Sequence, residues 1–129
     1  MYRRSCNNYI YKWVVGKKWV KVSNKKAWRI SASEDSLWMI DYPEQIPFKF
    51  DQATNKFEQK GDLAARWISA GINGEAFIVD YESKKPHIWR QNTATWTPLS
   101  DTYPTMVGLT TSKGGRMYAV DWETDKAFK

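Results

Sequence analysis

Ala27-Trp28-Arg29-Ile30-Ser31-Ala32, a short polar break, and then Leu37-Trp38-Met39-Ile40-Asp41-Tyr42 form the stretch whose reading decides the fold. It returns as Ala65-Arg66-Trp67-Ile68-Ser69-Ala70 followed by Ala76-Phe77-Ile78-Val79-Asp80-Tyr81. A looser third copy runs Pro104-Thr105-Met106-Val107-Gly108-Leu109 and then Met117-Tyr118-Ala119-Val120-Asp121-Trp122. Asp80 lies 39 residues after Asp41, and Asp121 lies 41 after Asp80.

Each copy breaks into segments too short for helices, and a repeat near 40 residues built from strands indicates a propeller-type array. No helical periodicity lasts beyond two turns. Ser33-Glu34-Asp35-Ser36 predicts the hairpin turn of the first unit. Asn73-Gly74, the pair that tight hairpins favour, predicts that of the second. The strand after each hairpin is apolar at every position: Leu37 and Met39 alternate with Trp38 and Ile40, and Ala76 and Ile78 with Phe77 and Val79. A strand apolar on both faces is covered on both faces, as in sheets stacked one on another.

Working outward, residues 1–8 read as a short polar arm and residues 9–129 as one all-β domain. Its three four-stranded blade units span about 18–55, 56–94 and 95–129, half of a six-bladed ring, with strand 9–14 completing a blade. Asn24-Lys25-Lys26 is expected to turn the chain between a strand beginning at Trp19 and the strand at Ala27. Phe48-Lys49-Phe50 and His87-Ile88-Trp89-Arg90 are the third strands of units one and two. Ile10-Tyr11-Lys12-Trp13 followed by Trp19 parallels Ile88-Trp89-Arg90-Gln91 followed by Trp96. Rings close at roughly 4–8 blades, so three units need company. Two chains head to tail would give six blades; the rival expectation is that the remainder of a longer propeller completes the ring.

The chain has 129 residues, 42% hydrophobic and 26% charged, which suits one globular domain with a core. Aromatics reach 16%, with eight Trp, and these residues suit pleated, half-buried surfaces. The net charge of +6 permits anionic partners without choosing among them. Cys6 is the single cysteine, so no intrachain disulfide forms; this favours a reducing compartment, and a cytoplasmic location is favoured over leaderless secretion. No leader peptide and no membrane span are expected.

The pattern resembles the tectonin repeat, found in tachylectin-like lectins. It is carried by Trp19, Ala27-Trp28-Arg29-Ile30-Ser31, Leu37-Trp38-Met39-Ile40 and Phe48-Lys49-Phe50. Unit two matches with Phe57, Ala65 to Gly74, Phe77-Ile78-Val79 and Ile88-Trp89-Arg90. The departures are Asp35-Ser36 in place of a Gly turn, and Pro104 where the other units have Ala27 and Ala65. The resemblance implies a binding protein without catalysis, either a carbohydrate-binding lectin or an intracellular protein-interaction scaffold.

Aromatics that recur are expected to be framework: Trp19, Phe57 and Trp96 in one slot, Trp38, Phe77 and Tyr118 in another. Asp41, Asp80 and Asp121, each followed by an aromatic, are expected to bond turn amides. Aromatics that break the repeat are the candidate ligand-binding residues: Trp28, Trp67, Trp13 and Trp122, with Arg29 and Arg66 beside the first two. Trp28 falls on the opposite side of its strand from Trp67 when Ile30 and Ile68 are set equivalent. Each aromatic plane can cover the C–H face of a sugar ring while the arginines bond its hydroxyls; the same groups would stack nucleobases. Lys17, Lys18, Lys21, Lys25 and Lys26 are either an anion site or edge lysines that discourage strand addition.

Catalysis finds no constellation. His87 is the one histidine, no His–Cys metal set exists, and no glycine-rich phosphate loop is present. No cofactor and no metal are expected. A glycan or glycoconjugate is the expected partner, ahead of protein partners and of nucleic acid.

Overall fold

The computed structural model describes residues 2–4, 8–14, 16, 18–71, 73–90, 92–99, 106–111, 117–121 and 127–128. All their regular structure is β. In chain order the strands are β1 (Tyr2–Arg4), β2 (Tyr9–Val14), β3 (Lys18–Ala32), β4 (Leu37–Asp41), β5 (Pro47–Asp51), β6 (Lys56–Gln59) and β7 (Ala65–Ala70). They continue as β8 (Ala76–Asp80), β9 (Pro86–Arg90), β10 (Thr95–Pro98), β11 (Met106–Thr111), β12 (Met117–Asp121) and β13 (Ala127–Phe128). Every pairing is antiparallel between sequence neighbours, giving sheets β1 to β6, β7 to β10 and β11 to β13.

Two expectations are corrected at the N-terminal end. The polar arm contains β1, which pairs Tyr2 with Lys12 and Arg4 with Ile10. Asn24-Lys25-Lys26 makes no turn. It lies within the 15-residue β3, which pairs with β2 between Lys18 and Lys26 and with β4 between Ala27 and Ala32; the register with β2 shifts here, Tyr11 facing Lys21 and Tyr9 facing Lys26. The polar residues there are exposed, at the point where β3 passes from its pairing with β2 to its pairing with β4. Lys25 and Lys26 keep their stems over rings, Nζ lying 4.3 Å from the Phe48 centroid and 5.9 Å from that of Tyr9.

The registers bear out the match of units one and two and shift the third copy by two residues: Met106 pairs with Asp121 as Ala27 pairs with Asp41 and Ala65 with Asp80, so Met106, not Pro104, holds their place. Ala32 pairs with Leu37, Ala70 with Ala76 and Thr111 with Met117, so Trp38, Phe77 and Tyr118 are equivalent, as are Asp41, Asp80 and Asp121. Every unit also carries a β-bulge at one place that the sequence pattern did not disclose. The register shifts between Ala27 and Arg29, between Ala65 and Trp67, and between Met106 and Gly108.

The double-sided character of β4 is realised, with all five of its residues buried. Leu37 and Met39 join Ile10, Ala27, Phe48 and Phe57 on the side toward β1 and β2. Trp38 and Ile40 join Ala65, Ile68, Ala70, Ala76, Ile78 and Trp89 on the side toward unit two. Burial of each such large side chain contributes roughly 1.5–3 kcal/mol, so these two layers hold the units together. Polar contacts assist them: the Ala70 N–H donates to Ser31 Oγ at 2.9 Å, and the Ala65 N–H to the Gln45 carbonyl at 2.9 Å.

Turn chemistry follows the sequence. Asn73 and Gly74 have φ of 55° and 74°, the paired left-handed values a two-residue hairpin needs. Gly61, at φ 73°, lies under Trp96; a Cβ there would sit 2.8 Å from Trp96 Cδ1. Trp96 Nε1 donates to the Lys60 carbonyl at 2.7 Å, which fixes the ring over the glycine.

Candidate functional site: an aromatic and arginine row at the bulged strand ends

The corner that follows each strand-end aspartate is built the same way in units one and two. The Asp41 N–H donates to the Ile46 carbonyl and the Asp80 N–H to the Lys85 carbonyl, both at 3.0 Å. Gln45 and Lys84 turn back to bond the Asp41 and Asp80 carbonyls, each with a left-handed φ, 65° and 60°. The Tyr42 N–H is held by the Lys26 carbonyl and the Tyr81 N–H by the Ala64 carbonyl, both at 3.0 Å. Both aspartates serve their turns. Asp41 Oδ1 accepts the Ile46 N–H at 2.7 Å, and Asp80 Oδ2 accepts the Ser83 N–H at 3.1 Å and its hydroxyl at 2.6 Å. Burial raises the Asp41 carboxyl above its ordinary range; the Ile46 N–H opposes this, Glu44 adds to it and Lys25 opposes it.

On this repeated frame the displayed side chains differ. Trp28 and Arg66 are the bulged residues of their strands, and a bulge re-aims the side chain it carries. Trp28 stacks on Tyr42, centroids 6.4 Å apart and planes 15° from parallel. Arg66 takes the same place over Tyr81, its guanidinium carbon 5.0 Å from the ring, and its Nη2 donates to the Tyr81 carbonyl at 3.2 Å. The next residues join the units to each other, because the Arg29 guanidinium lies 4.2 Å from the Trp67 centroid. Trp28, Arg29 and Trp67 share one open cleft of 260 Å³ with Ile30 and Ile68. Trp28, Tyr42 and Tyr81 remain 39%, 45% and 43% exposed, among the most exposed large apolar side chains described.

Four of the six candidate residues, Trp28, Arg29, Arg66 and Trp67, thus lie in one row. Trp122 is outside the described residues. Trp13 is not part of the row, and its supposed lack of a tryptophan counterpart is corrected. Trp13 pairs with Trp19 as Phe50 pairs with Phe57 and Trp89 with Trp96, so its counterpart is Trp89, two residues from the expected alignment. The three ring pairs are 5.4, 5.1 and 5.2 Å apart. Tyr42 and Tyr81 were missed as site residues; the signal for them was the aromatic that follows each repeated aspartate.

Of the N-terminal hairpin lysines, Lys21 and Lys26 share the Tyr9 ring and Lys25 takes another. Lys21 lies 4.0 Å above the Tyr9 ring, while Lys25 covers Phe48. Lys49 reaches from unit one toward the Gly74 carbonyl at 3.5 Å, and burial, with Lys60 nearby, lowers its pKa. Among the described residues no helix is long and apolar enough to cross a membrane.

The architecture defines a class: an all-β chain whose stacked antiparallel sheets match part of a β-propeller. No family model matches the sequence, and no curated protein matches it. Solved structures do. The chain is similar to YCF48 bound to D1 peptide (TM-score 0.56, 14% identity, 88% of this chain and 40% of that one). It is similar to streptogramin B lyase (0.61, 16%, 88% and 41%). It is also similar to the β-propeller domain of Myceliophteria thermophila Cps50 (Swd1) (0.60, 12%, 85% and 39%). At these identities the likeness concerns the fold alone. The chain spans about 40% of the length of each of these proteins.

Proposed function

We propose that this chain is a ligand-binding propeller module that acts without catalysis, and that its ligand is a carbohydrate. The observation that supports this reading is the Arg29 guanidinium 4.2 Å over Trp67, with Trp28 in the same open cleft. Guanidinium N–H groups are donors suited to hydroxyls, and the neighbouring exposed indole offers a plane for a sugar's C–H face. In finer terms the module is tectonin-like, and its units make half of a six-bladed ring, a second chain joining head to tail. Retention of the protein on a glycan array at low and at high salt tests the ligand class. Binding that persists in high salt supports a lectin; binding that collapses supports a polyanion partner instead.

The second reading is a protein-interaction scaffold, favoured by the 38% exposure of Trp13, whose equivalent Trp89 is 4% exposed. A co-purifying protein, with no glycan retained, would support it. Nucleic acid ranks below both, since Lys21, Lys25 and Lys26 of β3 lie over the Tyr9 and Phe48 rings.

A further inference from the structure

We infer that the site is an extended one, in which successive units each contribute a bulge residue and a corner tyrosine, so that the chain holds an oligosaccharide rather than a single sugar. The inference rests on the carbohydrate reading and adds Tyr42 and Tyr81 to it. Three observations carry it. First, the planar groups form a sequence from one unit to the next: Tyr42 on Trp28, Arg29 on Trp67, Arg66 on Tyr81. Second, the corner that presents each tyrosine is held by matching backbone bonds, Tyr42 to Lys26 and Tyr81 to Ala64. A site fixed before binding loses little entropy when it is occupied. Third, the recurring Ala27 and Ala65 are buried and the recurring Asp41 and Asp80 bond their turns, whereas the recurring Tyr42 and Tyr81 are exposed beside couples that change from Trp-Arg to Arg-Trp. A frame that served folding alone has no use for two large aromatics left more than two-fifths exposed at its corners.

The chemistry follows from the alternation. Exposed ring faces accept the apolar faces of pyranoses, and the arginines between them donate to ring and hydroxyl oxygens. A linear chain of sugars presents both features once per residue, and so can engage neighbouring elements of the row together, with a gain in affinity over either alone.

The test uses the whole chain on an array of linear glucose, galactose, mannose and N-acetylglucosamine oligosaccharides of one to six units. Affinity is expected to rise by about tenfold or more between one and four units of the bound series. Tyr42→Ala and Tyr81→Ala should each weaken the longer ligands by about fivefold, and by more than they weaken the single sugar. Tyr42→Phe and Tyr81→Phe, which keep the ring, should restore the length dependence. Both tyrosines are exposed, and melting curves check that the alanine variants stay folded. Binding independent of length, or indifferent to both alanine changes, overturns this inference and leaves the carbohydrate reading standing. No retention of any sugar overturns both.

Discussion

Trp13 and Trp19 face one another across β2 and β3, ring centroids 5.4 Å apart, in the register position that Trp89 and Trp96 hold across β9 and β10. The two pairs differ in surroundings. Trp89 is 4% exposed and packs with Trp38 of the unit before it, while Trp13 is 38% exposed. Trp89→Ala should therefore cost about 3–5 kcal/mol, the usual cost of emptying a large aromatic site in a core. Trp13→Ala in dilute solution should cost under about 1.5 kcal/mol, because much of its surface has no cover to lose. Urea melts of the two variants make the comparison. Equal losses would mean that the equivalence in register carries no difference in packing.

The same pair bears on association. If a second chain covers this face, native mass spectrometry at micromolar concentration will give twice the chain mass. Trp13→Glu will then return it to the single mass by placing a charge in the contact. A wild-type protein that stays single at those concentrations removes the head-to-tail arrangement.

Gly61 and Gly16 separate conformational strain from contact. Both have left-handed φ, 73° and 74°, but a Cβ meets nothing within 4 Å at Gly16 and meets Trp96 at 2.8 Å at Gly61. Gly16→Ala should cost about 1 kcal/mol, the strain of the backbone region alone. Gly61→Ala should cost about 2–3 kcal/mol, since the ring must also move off its bond to Lys60. Trp fluorescence of the Gly61 variant should shift with the melt, and an unshifted spectrum would count against that displacement.

Asp41 gives a pH dependence. Burial, the leading influence, holds its folded pKa above the unfolded value of 3.8, so between the two values the native state binds the extra proton. Stability from this group is highest below 3.8 and falls as the pH rises through the folded pKa. Asp41→Asn keeps an acceptor for the Ile46 N–H and removes the charge, so it should be at least as stable as wild type at pH 7 and lack this component of the slope. Asp41→Ala leaves that N–H without its acceptor and should cost about 1–2 kcal/mol at any pH. Melts from pH 3 to 7 distinguish the three proteins, and a wild-type slope that survives in Asp41→Asn would assign it to another group.

Ser31 tests the polar seam between units. Its Oγ accepts the Ala70 N–H at 2.9 Å from a strand 39 residues away. Ser31→Ala should lower stability by about 1 kcal/mol, read as a shift in urea midpoint with an unchanged slope.

The parts of this fold that the sequence made legible are those where chemistry repeats. The two-sided apolar strand at Leu37 to Ile40, the Asn73-Gly74 hairpin and the turn-binding aspartates follow from local patterns that tertiary packing reinforces. What stayed hidden depends on pairing. Asn24-Lys25-Lys26 has the composition of a turn, yet partners distant in sequence absorb it into β3 across a shift in register: the Ala27 N–H bonds the Asn8 carbonyl and Lys26 pairs with Tyr9. The bulges left no mark in the apolar alternation, because the added residue directly follows Ala27, Ala65 or Met106, ahead of the alternating stretch. Trp13 was misplaced for a similar reason. Alignment on Ile10 put it out of register, whereas the spacing of paired aromatics, Trp13 to Trp19, Phe50 to Phe57 and Trp89 to Trp96, would have set it right. Of the site, the Trp-Arg and Arg-Trp couples were visible, but their convergence across two strands was not.

β3 pairs with β2 at its beginning and with β4 at its end within a single strand, and that continuity has a mechanical consequence. A flexible joint would let the N-terminal hairpin detach while the following unit stayed intact. Here a tear that starts at Lys18 travels along the same backbone that holds Ile30 against Met39. Amide exchange at the two ends of this strand should therefore respond together to a lesion at either one, a coupling that the eye would not assign to residues so far apart along a single ribbon.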